Sequence, residues 1–374
     1  MGKLNDLAAL GQAVWLDFVE KKFLAEGSLQ KMVDEDALTG VTSNPSIFEK
    51  AMGHGDAYDA ELAAYDKSNP DAPTIDRYEH LAILDIQAAA DTLRPVYDRL
   101  DAKDGYVSLE VSPYLANDTD ATIAEAQKLW KAVNRPNVMI KIPGTPAGVP
   151  AIAATIDAGI NVNVTLLFSQ SAYQAVAEAY VEGLEKRAAR GEPIDRIASV
   201  ASFFVSRIDS KIDDKIDALV KEGGVGGDEA KPLKGKVAIA NAKLAYAWYE
   251  EFIASSRWQA LAAKGAQVQR LLWASTGTKN PDYPDTLYLD SLIGKDTVNT
   301  IPPKTLDAYR LRGTATETLT QDIAGARHVL SEAERLGLDL DGVTDELVEE
   351  GVASFSKAFD DLLGAIAAKH PVAA

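Results

Sequence analysis

A lysine stands alone in the segment Val138-Met139-Ile140-Lys141-Ile142-Pro143-Gly144-Thr145, whose other side chains are apolar or small. Building a strand gives no reason for an ammonium group there. A strand covered on both faces is a continuous apolar run, and a cation within it must find a partner or lose its charge. Desolvation lowers a lysine pKa, and the neutral amine is a nucleophile that condenses with carbonyls. Lys141 therefore reads in two ways: as a Schiff-base former, or as a lysine reaching solvent or a structural carboxylate. Single carboxylates interrupt two similar runs, Asp17 in Trp15-Leu16-Asp17-Phe18-Val19 and Glu110 in Val107-Ser108-Leu109-Glu110-Val111. A buried carboxylate either meets a cation or transfers protons, and each of these alone reads first as an ion-pair partner.

Other polar residues fall at comparable places. Asn163 and Thr165 lie two apart in Asn161-Val162-Asn163-Val164-Thr165 and leave the same face of a strand. Thr42-Ser43-Asn44-Pro45-Ser46 joins a turn to a helix beginning near Ile47, where capping alone would account for Asn44. Ser202-Phe203-Phe204-Val205-Ser206-Arg207 and Trp273-Ala274-Ser275-Thr276-Gly277-Thr278-Lys279-Asn280 each bring a cation beside serine hydroxyls and open backbone amides. Arg207, Ser275 and Lys279 together could hold a phosphate.

These residues sit on or just after short apolar segments that read as strands: 14–19, 40–44, 107–112, 138–142, 161–168, 197–205, 268–275 and 297–301. Amphipathic stretches alternate with them. Thr119 to Val133 places Ile123, Ala126, Leu129 and Val133 on one face, and Ser169 to Leu184 repeats Tyr173, Val176, Tyr180 and Leu184 after a serine cap. Eight strands alternating with helices predict an α/β fold, a (β/α)₈ barrel forming a single domain over residues 1–374, whose active site gathers at the carboxyl ends of the strands. Additional helices are expected at 57–67 and 77–100, within 206–263, and at the end of the chain. There Val348, Val352, Phe355, Phe359, Leu362 and Ile366 form one apolar stripe, read as core packing. Gly223-Gly224-Val225-Gly226-Gly227 lacks the context of a phosphate-binding fingerprint and reads as a flexible connection between helices.

Composition narrows the function classes. A net charge of −18 argues against nucleic acid or an anionic membrane as the main partner. No apolar run approaches a membrane span, and Met1-Gly2-Lys3-Leu4-Asn5-Asp6 shows no signal-peptide core, so a cytoplasmic protein is expected. With no cysteine, disulfides, thiolate metal sites and cysteine nucleophiles drop out. His54, His80, His328 and His370 lie far apart without metal-ligand spacing. No metal is expected.

Taken together these residues resemble the transaldolase family over most of the chain. Gly40-Val41-Thr42-Ser43-Asn44-Pro45-Ser46 is similar to its amino-terminal signature and Met139-Ile140-Lys141-Ile142-Pro143 to its Schiff-base signature. The resemblance implies transfer of a dihydroxyacetone unit from sedoheptulose 7-phosphate to glyceraldehyde 3-phosphate in the pentose phosphate pathway, without a cofactor. It assigns Schiff-base formation to Lys141 and the proton of the C4 hydroxyl to Asp17. Proton shuttling during dehydration falls to Glu110, with a water held by Thr165. Asn44, Asn163, Ser202 and Phe204 would bind substrate, the first three at the dihydroxyacetone hydroxyls, while Arg207 and Ser275 would hold the phosphate. One departure stands out. Many members carry an arginine two residues after the serine matching Ser275, where this chain has Gly277; Lys279 is the candidate replacement, a point charge in place of a guanidinium fork. Sugar phosphates are the expected partners, and a monomer or homodimer the expected state.

Three alternatives remain at this level. A fructose 6-phosphate aldolase releases free dihydroxyacetone, but that group carries glutamine where Glu110 stands. A silent sugar-phosphate-binding barrel would not need Lys141, Asp17 and Glu110 together. A pyridoxal-phosphate enzyme lacks support from any glycine-rich phosphate cup.

Overall fold

The computed structural model describes residues 2–369. His370 lies outside them. Eight strands, β1 (Gln12–Leu16), β2 (Leu38–Val41), β3 (Tyr106–Glu110), β4 (Val138–Pro143), β5 (Val162–Leu167), β6 (Ser199–Phe204), β7 (Arg270–Ala274) and β8 (Thr297–Ile301), close into one barrel. Each pairs in parallel with the next, and β8 returns to β1. The predicted (β/α)₈ barrel is the observed fold. Strands β3 to β6 are buried at every position, as expected where side chains fill the barrel on one side and helices cover the other.

The ends of the strands, not their number, depart from expectation. The first strand, expected at 14–19, ends at Leu16, and the second, expected at 40–44, ends at Val41. Polar chemistry cuts both short. Asp17 still donates its backbone N–H to Ile301 O, yet its side chain turns to Thr42. Asn44 accepts from Ile47 N and caps the helix Pro45–Met52, with proline at its first position, so the chain leaves the sheet there.

Around the barrel the helices begin and end on local signals. Asp118 and Ser169 cap the helices Thr119–Val133 and Gln170–Ala189, and Asn134 ends the first of these in the left-handed region. The insertion after β2 carries the helices Asp59–Ser68 and Thr74–Arg99, the latter with Leu81, Ile86 and Leu93 turned inward. The glycine cluster is only partly a connection. Gly223 and Gly224 take positive φ at the join, whereas Gly226 and Gly227 lie within the short helix Val225–Ala230. A Cβ on Gly227 would sit 2.7 Å from Leu219 O, so close helix packing, not flexibility, explains that glycine.

The last helix, Leu340–Lys369, buries Phe355, Phe359, Leu362 and Ile366 against the barrel assembly and leaves Val348 and Val352 half-buried. It packs on the helix Pro45–Met52 and reaches β5. A Cβ on Gly351 would meet Leu166 Cδ2 at 2.8 Å. Leu166 itself takes a positive φ of 59° where the pairing of β5 with β6 is irregular. Among the described residues no helix is long and apolar enough to cross a membrane.

Candidate active site

Parallel pairing does much of the positioning. Lys141 on β4 stands in register with Glu110 on β3 and with Asn163 on β5. Lys141 Nζ lies 3.2 Å from Glu110 Oε2 and donates to Ser43 O at 3.1 Å. Lys141 is 5% exposed and Glu110 7%, so this ion pair is desolvated. Such a pair is costly to assemble and strongly destabilising to break. Burial pushes the Glu110 carboxyl above its ordinary range, against the opposing pull of Lys141. A carboxylate so raised is a better base for an ammonium proton than a solvated one.

A cleft of about 640 Å³ opens at the carboxyl ends of the strands, and nine of the eleven predicted site residues line it: Asp17, Asn44, Lys141, Thr165, Ser202, Phe204, Arg207, Ser275 and Lys279. The other two lie directly beneath. Glu110 is reached through Lys141, and Asn163 through Ser202, whose hydroxyl donates to Asn163 Oδ1 at 2.7 Å. Asn163 Nδ2 donates in turn to Ser108 Oγ at 2.9 Å. Asn163 is fully buried; with both ends of its amide engaged, it orients Ser202 as much as it faces the cleft.

Asp17 is set just past the end of β1. Thr42 Oγ1 donates to its Oδ1 at 2.8 Å and contacts Thr300 Oγ1 at 2.5 Å. Burial raises the Asp17 carboxyl, opposed by Lys141, the Thr42 hydrogen bond, Arg207 and Lys279. Among the described residues the Glu110 carboxylate has no hydrogen-bond partner apart from its ion pair with Lys141, and the buried Thr165 Oγ1 has none. Buried polar groups with spare hydrogen-bonding capacity beside an amine are a setting in which protons can be transferred.

The other end of the cleft is cationic. Arg207, stacked 5.2 Å from the Phe204 ring, has its pKa lowered by burial. Lys279 is likewise lowered by burial, then by Arg207 and Lys50. Ser275 takes a positive φ of 54° just after β7 and shares a hydroxyl contact of 2.9 Å with Ser206. A non-glycine residue in that region is strained, a cost tolerated where it aims a functional group. Gly277 lines the cleft, and Lys279 brings its charge to the same wall.

Sequence reasoning missed several residues here. Lys50 and Lys304 also line the cleft, as does Phe355, and Thr42 with Thr300 holds Asp17. Asn44 combines two roles, its Oδ1 capping a helix while the residue faces the cleft. A larger groove of about 940 Å³ runs between the helices Gln170–Ala189 and Leu340–Lys369. Its wall carries Glu334, Asp339, Asp341 and Asp345 with no lysine or arginine, a poor setting for an anionic substrate. Among the described residues no group of three or more His, Asp and Glu side chains is arranged to hold a metal.

Comparison with known proteins agrees with this geometry. The model of the transaldolase/fructose-6-phosphate aldolase family matches residues 14–366. A transaldolase of Trichodesmium erythraeum is 47% identical over 370 residues, covering 98% of this chain and 97% of its own. A transaldolase of Thiobacillus denitrificans is 47% identical over 366 residues, covering 98% of this chain and all of its own. One from Thermobifida fusca is 47% identical over 365 residues, 97% of each chain. With a barrel closed around a buried lysine–glutamate pair and similarity running nearly end to end, the chain belongs to the transaldolase/fructose-6-phosphate aldolase family.

Proposed function

We propose that this protein is a transaldolase of the pentose phosphate pathway, moving a dihydroxyacetone unit from a ketose phosphate to an aldose phosphate through a Schiff base on Lys141. The observation that carries this reading is the desolvated Lys141–Glu110 pair at 3.2 Å, opening on a cleft shared with Asp17 and with Arg207 and Lys279. Glu110 takes the ammonium proton, and the freed Nζ attacks the donor ketone to give a carbinolamine. Glu110 returns that proton to the departing hydroxyl, assisted by a water at Thr165, leaving water and a protonated Schiff base.

Asp17 then accepts the C4 hydroxyl proton. The C3–C4 bond breaks, the aldose leaves, and the bonding electrons settle into a neutral enamine on Lys141. An acceptor aldehyde adds to the enamine carbon while Asp17 returns its proton, and hydrolysis frees the new ketose. Asn44 and Ser202, the latter set by Asn163, bind the dihydroxyacetone hydroxyls, with Phe204 in the adjoining wall. Arg207, Ser275 and Lys279 hold the phosphate at the far end. We infer further that the chain acts as one barrel unit in the cytoplasm, as a monomer or homodimer, on sugar phosphates and not on nucleic acid.

The test is mass spectrometry after incubation with fructose 6-phosphate and borohydride. A reduced three-carbon adduct on the Lys141 peptide, absent in Lys141→Met, is expected; Lys141→Met should also lower transfer by about 10⁴-fold or more. An active, folded protein that forms no adduct would sink the mechanism.

A further inference from the structure

The apolar stripe of the last helix is core for most of its length, but Phe355 departs from that role. Its ring lines the substrate cleft, and its centroid stands 5.7 Å from Lys141 Nζ. The residue is only 4% exposed, so its remaining free surface faces the site. We propose that Phe355 is a specificity-determining residue that keeps water from the enamine on Lys141, favouring transfer of the three-carbon unit over its release as free dihydroxyacetone. The inference rests on the Schiff-base reading above.

The enamine has two fates. It can add to an acceptor aldehyde, or its carbon can take a proton. Protonation gives a protonated Schiff base; water then adds to the carbon bonded to Nζ, and the resulting carbinolamine breaks its C–N bond, returning the Lys141 amine and releasing dihydroxyacetone. Both fates start from a carbon two bonds from Nζ, within reach of whatever covers that nitrogen. The barrel side supplies polar groups: Glu110, Asp17, Thr165 and Ser202. Phe355 covers the nitrogen from the helix side with a ring that neither donates protons nor holds water.

Its attraction for the nitrogen cannot set the balance. Resting ammonium and protonated Schiff base are both cations at the same place, and a ring that stabilises them alike leaves the enamine's choice unchanged. Exclusion of water is the property that discriminates.

The ring is also held firmly. One turn before it, Gly351 lets the helix close on Leu166, where a Cβ would come within 2.8 Å. One turn after it, Phe359 packs edge-on against Tyr78 at 5.2 Å and Tyr114 at 5.6 Å. Phe355 is therefore a fixed wall.

The experiment compares full-length wild type, Phe355→Ala and Phe355→Leu. With fructose 6-phosphate alone, free dihydroxyacetone is measured in D₂O; with erythrose 4-phosphate added, transfer is measured. Unfolding midpoints and borohydride trapping at Lys141 establish that each variant is folded and reactive. Phe355→Ala is expected to raise the release-to-transfer ratio by about tenfold or more, with solvent deuterium on carbon in the released ketone. Phe355→Leu, which restores apolar volume without a ring, is expected to stay near wild type. An unchanged ratio in Phe355→Ala, both rates falling together, would overturn the proposal. So would a Phe355→Leu variant as leaky as Phe355→Ala. Should the alanine variant fail to fold, Phe355→Val supports the same comparison. Wild type without an adduct on Lys141 overturns the underlying mechanism as well, whereas an adduct with unchanged partition overturns this inference alone.

Discussion

The two ends of the barrel treat buried polar groups differently. At the amino-terminal end Asp104 accepts from Trp15 Nε1 at 2.9 Å, from Thr39 Oγ1 at 2.8 Å and from Arg270 at 3.2 Å. Asn137 donates to Ala90 O and Gly105 O, and Asn161 donates to Pro136 O and Val138 O. Asp104 is fully engaged there; among the atoms left over are neutral ones such as Gln12 Oε1, Asn137 Oδ1 and Gln269 Oε1. At the carboxyl end a carboxylate and a hydroxyl, Glu110 and Thr165, are left without hydrogen bonds. One end commits its charges to holding strands together. The other leaves Glu110 with Lys141 as its one partner and Thr165 Oγ1 with none, an arrangement that is costly to bury and common where groups act on a substrate.

The largest test of that contrast is Glu110→Gln. The amide keeps the shape but cannot cycle a proton with Lys141, so the rate of Schiff-base formation should fall by about 10²- to 10⁴-fold. The same burial that raises Glu110 and Asp17 sets the pH response. Both must be ionised to act as bases, so the acid limb of kcat/KM in wild type should lie above the ordinary carboxylate range of about 4. A stopped-flow pH series checks both. An acid limb at or below 4 would show that neither carboxyl is held up by burial.

Sequence pattern made most of this end of the barrel legible, because alternation of apolar strands with amphipathic helices is local. Lys141, Asp17 and Glu110 stood out since a charge in an apolar run is visible without any fold. Contacts between distant segments were not visible. Phe355 carries the same helical spacing as Phe359 and Leu362, and nothing in that spacing distinguishes a ring over a lysine from a ring in the core. Thr42 looked like part of a turn, and its role in holding Asp17 with Thr300 depends on β8 closing beside β1. Nothing in the sequence pattern singles out Lys50 and Lys304, which the barrel places on the cleft. The early ends of β1 and β2 had the same cause: Phe18 and Val19 are apolar enough to prolong a strand, but the hydrogen bonds at Asp17 and Asn44 end it.

Asp209 could break the simple rule that a shifted carboxyl marks chemistry. It lies two residues after Arg207, is 1% exposed, and accepts from Ala238 N and Tyr288 OH. Burial pushes its pKa from 3.8 up to about 7. The folded state therefore holds a proton that the unfolded chain has already lost between those values. That contribution to stability is complete below 3.8 and is lost as pH rises through about 7. Relative to Asp209→Asn, wild type should lose on the order of 2–4 kcal/mol of stability between pH 4 and pH 8, with little change in kcat. Denaturant unfolding at several pH values measures it. A parallel slope in the two proteins would show that Asp209 does not titrate in this window.

The finest comparison sets two threonines against each other. Thr39 Oγ1, at the amino-terminal end, bonds the buried Asp104, whereas Thr165 Oγ1 bonds nothing among the described residues. Thr39→Val should cost about 1–2 kcal/mol, because it removes a donor from a buried charge, and should leave transfer intact. Thr165→Val removes a hydroxyl with no hydrogen bond to lose, so stability should hold or rise slightly. Transfer should nevertheless fall by about 10- to 100-fold, through kcat more than KM, if that hydroxyl orders the water used in dehydration. Unfolding midpoints and steady-state kinetics on the two variants separate the outcomes. Two variants that lose stability equally, with activity unchanged in both, would mean that the unpartnered hydroxyl is not the mark of the working end.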